Sequence, residues 1–120
     1  MANQIMDKAF EALPILIEIA QEKDRIVHGR LSGKITYGDL ARLIDYNPRC
    51  MGRVCGFIRD EITNPQNLPL LNCIVVNGKT KFPTEIESGD TVEMAKKKFP
   101  SFSKAVYSHQ KWNSLKAKFA

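Results

Sequence analysis

Two helix-start signals, Thr36 in KITYGDLARLI and the Asn47-Pro48 pair in DYNPRCMGRV, leave the middle of this chain little freedom. Thr36 can accept from the amide of Asp39 while the Asp39 side chain reaches back, a capping box with aspartate in the usual glutamate place. Asn47 is a good cap, and Pro48 needs no amide partner at a first helical position, so a second helix begins there. Leu40, Leu43 and Ile44 make the buried edge of the first helix, DYNP ends it, and Ile35 reads as a short strand before it. Two short helices joined by about three or four residues form a helix-turn-helix.

On the second helix Met51, Val54, Cys55 and Ile58 recur at helical spacing and make one side core. The opposite side carries Arg49, Gly52, Arg53, Gly56 and Asp60. A glycine inside a helix costs up to about 1 kcal/mol relative to alanine, so two on an outward face need a reason. Either a neighbouring helix packs tightly on them, or another molecule comes close to the backbone.

After an Asn- and Pro-rich loop, LLNCIVV is a continuous apolar run with β-branched residues, the pattern of a buried strand. Asn77-Gly78 then signals a hairpin into KTKF, whose tip carries Lys79 and Lys81. Helix, turn, helix, strand, hairpin is the order of a winged helix. On either side lie further helices. Met6, Phe10, Leu13, Ile17 and Ala20 form one stripe, interrupted at Pro14 by a kink or a fresh helix start. The polar stretch EKDRIVHGRLSGK crosses the surface. Near the end, Asp90 and Glu93 form a second cap-like pair. Trp112, Leu115 and Phe119 share a helical face, where aromatics serve a core more often than a stacking site for bases; the same weighing applies to Tyr107.

The fold class expected is therefore α+β, mainly helical: a winged helix-turn-helix with extra helices at both ends. With 120 residues, 43% of them apolar and 26% charged, the chain fits one domain. It divides into an N-terminal helical segment (1–33), the winged core (34–82) and a basic C-terminal extension (83–120). No stretch reaches the roughly 18 to 20 apolar residues of a membrane span, and the start lacks a signal-peptide pattern, so a cytoplasmic location is expected. Cys50, Cys55 and Cys73 are an odd number without paired spacing, which suits buried thiols rather than disulfides or zinc; neither metal nor cofactor is expected.

The net charge of +5 is unevenly distributed. Residues 23–60 hold eight Lys/Arg against four acids, and residues 94–120 hold seven lysines and no acid. The intervening segment 61–93 is acidic, with five acids against two lysines. Two basic blocks of this kind suit a face turned toward a polyanion.

ITYGDLARLI, NPRCMGRV and NPQNLPLLNCIVVN, in that order, resemble the DNA-binding domain of the O6-alkylguanine DNA alkyltransferases and alkyltransferase-like proteins, over roughly residues 34 to 78. The resemblance implies a winged helix-turn-helix that enters the minor groove and flips a damaged guanine with an arginine of the second helix. In the alkyltransferases a Pro-Cys-His-Arg motif then accepts the alkyl group. Aligned from Asn64-Pro65, that motif falls on Leu71, Asn72, Cys73 and Ile74, and none of its residues is kept. The flipping arginine falls on Gly52, with Arg53 one place along and therefore turned by about 100°. Tyr37 matches the tyrosine beside the flipped nucleotide's phosphate, and Arg49 a basic flanking position. The chain is more similar still to small non-catalytic phage and bacterial proteins of this fold, through LPILIEIA, ITYGDLA and LPLLNCIVVN, a likeness reaching over most of residues 12 to 112.

These readings point to a non-enzymatic DNA-binding protein that contacts mainly the DNA backbone with weak sequence preference. Its contact residues are Tyr37, Arg42, Arg49, Gly52, Arg53, Gly56, Lys79 and Lys81. One alternative is a phage or mobile-element protein that binds and modulates a host nuclease or other defence protein through the same face. A second is recognition of alkylation damage without alkyl transfer.

Overall fold

Seven regular elements run through the computed structural model, which describes residues 4–21 and 33–118: helix α1 (Gln4–Gln21), strand β1 (Ile35–Thr36), α2 (Tyr37–Leu43), α3 (Met51–Phe57), strand β2 (Val75–Val76), α4 (Val92–Ser108) and α5 (Trp112–Lys118). The described residues thus form a mainly helical α+β structure with five helices and one small sheet. β1 and β2 pair in parallel, Ile35 opposite Val75 and Thr36 opposite Val76. No helix is long and apolar enough to cross a membrane among these residues.

The centre follows its caps. Thr36 Oγ1 accepts from the Asp39 amide at 3.1 Å and starts α2. Asn47 Oδ1 accepts from the Arg49 amide at 2.9 Å, and Pro48 opens a tight turn that leads into α3. Between them the chain reverses through Asp45, whose φ of 54° is tolerated because a short polar side chain relieves the left-handed conformation. On α3 the core positions are those that periodicity assigns: Met51, Val54, Cys55 and Ile58 are buried. On α2 the edge differs, because Ala41 joins Leu40 and Ile44 inside while Leu43 is 45% exposed.

α1 lies against α3 and α5, and its buried stripe takes in Ala9, Ala12, Leu16 and Ile19 as well as Leu13, Ile17 and Ala20, while Met6 and Phe10 of the expected stripe are half-buried. Pro14 neither ends nor restarts the helix. Two contacts fasten α1 to the central pair. Lys8 Nζ donates to the Ile44 carbonyl at 2.7 Å, a cation on the C-terminal end of α2, and Phe10 meets Phe57 edge to face at 6.1 Å. The expected surface stretch EKDRIVHGRLSGK falls almost wholly outside the described residues, as does Phe119.

Beyond α3 the helical path widens over Ile58–Thr63 into a turn of larger radius and then tightens over Asn64–Gln66. Thr63 Oγ1 donates to the carbonyls of Ile58 and Arg59 at 3.3 and 3.2 Å, occupying acceptors that a regular helix would use itself. Asn67 ends the path in the left-handed conformation, with φ of 57°.

The expected strand and hairpin are corrected by the structure. LLNCIVV is buried throughout, but Leu71–Ile74 is a tight turn and only Val75–Val76 is strand, since β1 offers just two residues to pair with. Among the described residues no second strand follows Asn77-Gly78. A hairpin turn of the expected kind needs positive φ at both central residues, and Gly78 does not have it. The Asn77 side chain instead collects the amides of Lys79 at 2.8 Å and Thr80 at 3.2 Å, closing residues 77–82 into a compact loop. The cap of α4 is likewise displaced by one residue: Thr91 Oγ1, not Asp90, accepts from the Met94 amide at 3.1 Å.

Asp90 instead organises the turn before α4. Its side chain is 2% exposed, accepts from the amides of Glu87 and Ile86 at 2.8 and 3.3 Å, and meets Lys98 at 2.6 Å. Burial alone would raise its pKa, but Lys98 and the two amides outweigh burial and hold it below the usual carboxylate range. A depressed carboxylate stabilises the fold above its ordinary pKa of about 3.9 and loses that contribution as pH falls through the folded value. Asp90→Asn is therefore expected to lower the melting temperature at pH 7 and to flatten the fall in stability below about pH 4. Thermal melts of both proteins between pH 2.5 and 7 check this, and parallel curves would contradict it.

One apolar cluster extends from Ala9 to Leu115 and includes Trp112, whose Nε1 donates to the Val106 carbonyl at 2.9 Å. Trp112 and Leu115 thus serve the core, as their spacing favoured. Tyr107 is half-buried and donates to the Gly33 carbonyl at 2.8 Å.

Candidate nucleic-acid interface

The cations of the two central helices fall into two sets. Arg59 is 6% exposed and pairs with both Asp60 oxygens, Nε to Oδ1 at 2.8 Å and Nη2 to Oδ2 at 3.0 Å, while Nη1 reaches Glu85 at 3.0 Å. Its hydrogen bonds to Asp60, and then to Glu85, raise its already high pKa, and Arg59 in turn lowers that of Asp60. This guanidinium is part of the fold. Arg42 is paired with Asp39 one turn away, but its side chain is 73% exposed. The Asp39 side chain is 14% exposed, so the pair is solvated at its guanidinium end only, and that end is open to a second anion.

Arg49 and Arg53 are different. Both are exposed, one helical turn apart, and neither has an acidic partner among the described residues. Beside them Gly52 is exposed, and a Cβ added there would meet nothing within 4 Å. A Cβ on Gly56 would touch only Arg59 Nη2, at an ordinary 3.5 Å. Among the described residues, then, no neighbouring helix packs on these glycines. Gly52, Arg53 and Gly56 open onto a shallow depression of about 400 Å³, shared with Ile5, Phe57 and Asp60.

Lys79 and Lys81 stand exposed on the 77–82 loop, and they too have no acidic partner among the described residues. That loop sits beside the start of α2: a Cβ on Gly78 would lie 3.9 Å from Thr36 Cγ2. Just beyond it the Thr84 amide donates to the Tyr37 hydroxyl at 3.2 Å, and Thr84 Oγ1 shares a hydrogen bond with the same hydroxyl at 3.1 Å. Burial pushes the Tyr37 pKa up. Tyr37 is therefore half-buried and engaged in holding the loop segment to α2. Arg59, through Glu85, ties the same segment to the end of α3.

Charge and helical spacing mark the exposed arginines and lysines in the sequence but not Arg59, the internal anchor. Its own signal is subtler: Arg59 lies four residues after Cys55 and so borders the buried side.

At the place that the alkyltransferase resemblance gives to the acceptor cysteine, Asn72 is 1% exposed and donates through Nδ2 to the Ile86 carbonyl at 2.9 Å. Next to it, Cys73 is fully buried, and burial pushes its thiol up to about 12, far from the thiolate a nucleophile needs. Burial does the same to Cys55. Neither thiol is activated. No protein-family model, no curated protein and no solved structure matches this chain.

Proposed function

We propose that this chain is a non-enzymatic DNA-binding protein of the winged helix-turn-helix type, with the 77–82 loop in the place of the wing. The observation that carries the reading is the outer face of α3 and its lead-in turn. Two exposed arginines without acidic partners flank a helical glycine with open space above it. Guanidinium groups suit phosphate oxygens, and a missing side chain lets a sugar-phosphate backbone approach the helix closely. Lys79 and Lys81 add charge from the loop, and the exposed guanidinium of Arg42 adds to it beside Asp39. α3 carries no Asn or Gln, and Asn47 beside Arg49 is engaged through Oδ1 in capping the turn, so the contacts carry little sequence information. Three free cysteines suit a reducing compartment, consistent with work in the cytoplasm.

Gly52 provides the sharpest test. Gly52→Ala meets no obstacle in the free protein and restores a helix-favouring residue, so it is expected to raise stability by about 0.5 to 1 kcal/mol. The added methyl group occupies the space DNA would enter, so duplex affinity is expected to fall about tenfold. Thermal melts and fluorescence anisotropy on the same preparations measure both. A stabilised variant that binds as wild type would contradict close approach at Gly52.

The depression beside Arg53 favours one second reading. Phe57 and Ile5 line it together with Asp60, Glu61, Arg53 and Arg59, and a mixed apolar lining with charges of both signs suits a protein side chain better than a phosphate. On that reading the same face docks on a protein such as a nuclease, and Gly52→Ala weakens that complex instead.

A further inference from the structure

The second basic block of the chain also has an ordered arrangement. Phe82 closes the 77–82 loop through its carbonyl, which accepts from the Asn77 amide at 2.9 Å. Its ring meets Phe99 of α4 edge to face at 5.5 Å. A lysine lies over each ring: Lys96 Nζ is 5.4 Å from the centre of Phe82, and Lys34 Nζ is 5.6 Å from that of Phe99. Neither lysine has an acidic partner among the described residues, whereas Lys98 on the same helix is held by Glu87 and Asp90 at 2.6 Å each. The loop itself presents Lys81 with φ of 66°, a conformation that is unfavourable for lysine by about 1 kcal/mol or more.

We infer that Lys34 and Lys96, held across the Phe82–Phe99 pair beside Lys79 and Lys81, form a second phosphate-binding surface for the same duplex. The inference rests on the DNA-binding reading and extends it from α3 to α4. An ammonium lying on an aromatic face is attracted to it and has less side-chain freedom to lose when it meets a phosphate. With no carboxylate to displace, the phosphate gains a contact without breaking an ion pair. The three successive contacts keep the two ammonium groups within roughly 17 Å of each other, which is about five base-pair steps, so one duplex can touch both.

The test compares wild type with three double variants by anisotropy on a labelled duplex at several salt concentrations. Lys34→Gln with Lys96→Gln is expected to weaken binding about thirtyfold near physiological salt and to reduce the salt slope by about 2. Lys111→Gln with Lys116→Gln, an equal charge change on and just before α5, is expected to change affinity less than threefold. Arg49→Ala with Arg53→Ala reports on the first surface separately. Loss in the arginine variant with wild-type binding by the Lys34/Lys96 variant would overturn the second surface and leave the first. Equal loss in both lysine variants would reduce the effect to general charge and overturn it too. Wild-type protein that binds no duplex would overturn both surfaces.

Discussion

Replacing Arg49 and Arg53 together by alanine is expected to weaken duplex binding roughly thirtyfold at about 0.15 M salt, with little change in stability. Each phosphate contact contributes a slope of about 0.9 in the logarithm of affinity against the logarithm of salt, and two such contacts give that factor. Both side chains are exposed and bond to no acid among the described residues, so their removal breaks no ion pair there. Alanine is at least as good a helix former as arginine, so α3 and the turn leading into it should persist. Anisotropy measures the affinity and circular dichroism the fold. A well-folded double variant that binds as tightly as wild type would remove α3 from the interface.

Arg59→Ala is expected to do the opposite, lowering stability by about 2 to 3 kcal/mol, a drop of roughly 10 °C in melting temperature for a chain of this size. The side chain is 6% exposed and links the end of α3 to Asp60 and Glu85. Its loss leaves unfilled space and frees the segment that carries Thr84 and Glu85. The carboxylates, about half exposed at 47% and 42%, regain water, which keeps the loss below that of a wholly buried pair. Arg59→Met fills most of the same volume and is expected to lose less than about 1 kcal/mol. Chemical denaturation separates the two variants. If methionine were as damaging as alanine, the ion pairs rather than the packing would be holding the segment.

These two arginine sets illustrate what the sequence can and cannot disclose. Arg49, Arg53 and Arg59 are the same residue type on one helical path, and charge counting treats them alike. Helical spacing placed Arg49 and Arg53 opposite Met51 and Val54, and that separation holds. Arg59 lies at the border of the buried side, and its fate depends on Glu85, which is distant in sequence and reaches it only through the fold. Caps were legible for a similar reason: Thr36 and Asn47 act on amides two or three residues away. The hairpin was not. Asn77-Gly78 permits a tight reversal, but the Asn77 side chain takes the amides of Lys79 and Thr80 and the loop closes on itself through the Asn77 and Phe82 backbone, so no strand continues beside β2. Lys34 and Lys96 were anonymous members of basic blocks until Phe82 and Phe99 met.

If the exposed cations around α3, the 77–82 loop and the Phe82–Phe99 pair meet one DNA backbone, as proposed, binding of a duplex is steeply salt-dependent. The most direct measurement is the affinity of wild-type protein for a short duplex between about 0.05 and 0.3 M salt. Five or more neutralised phosphates give a logarithmic slope steeper than about −4. A flat response, or no binding near physiological salt, would contradict a DNA interface and assign the arginine and glycine face to a protein partner.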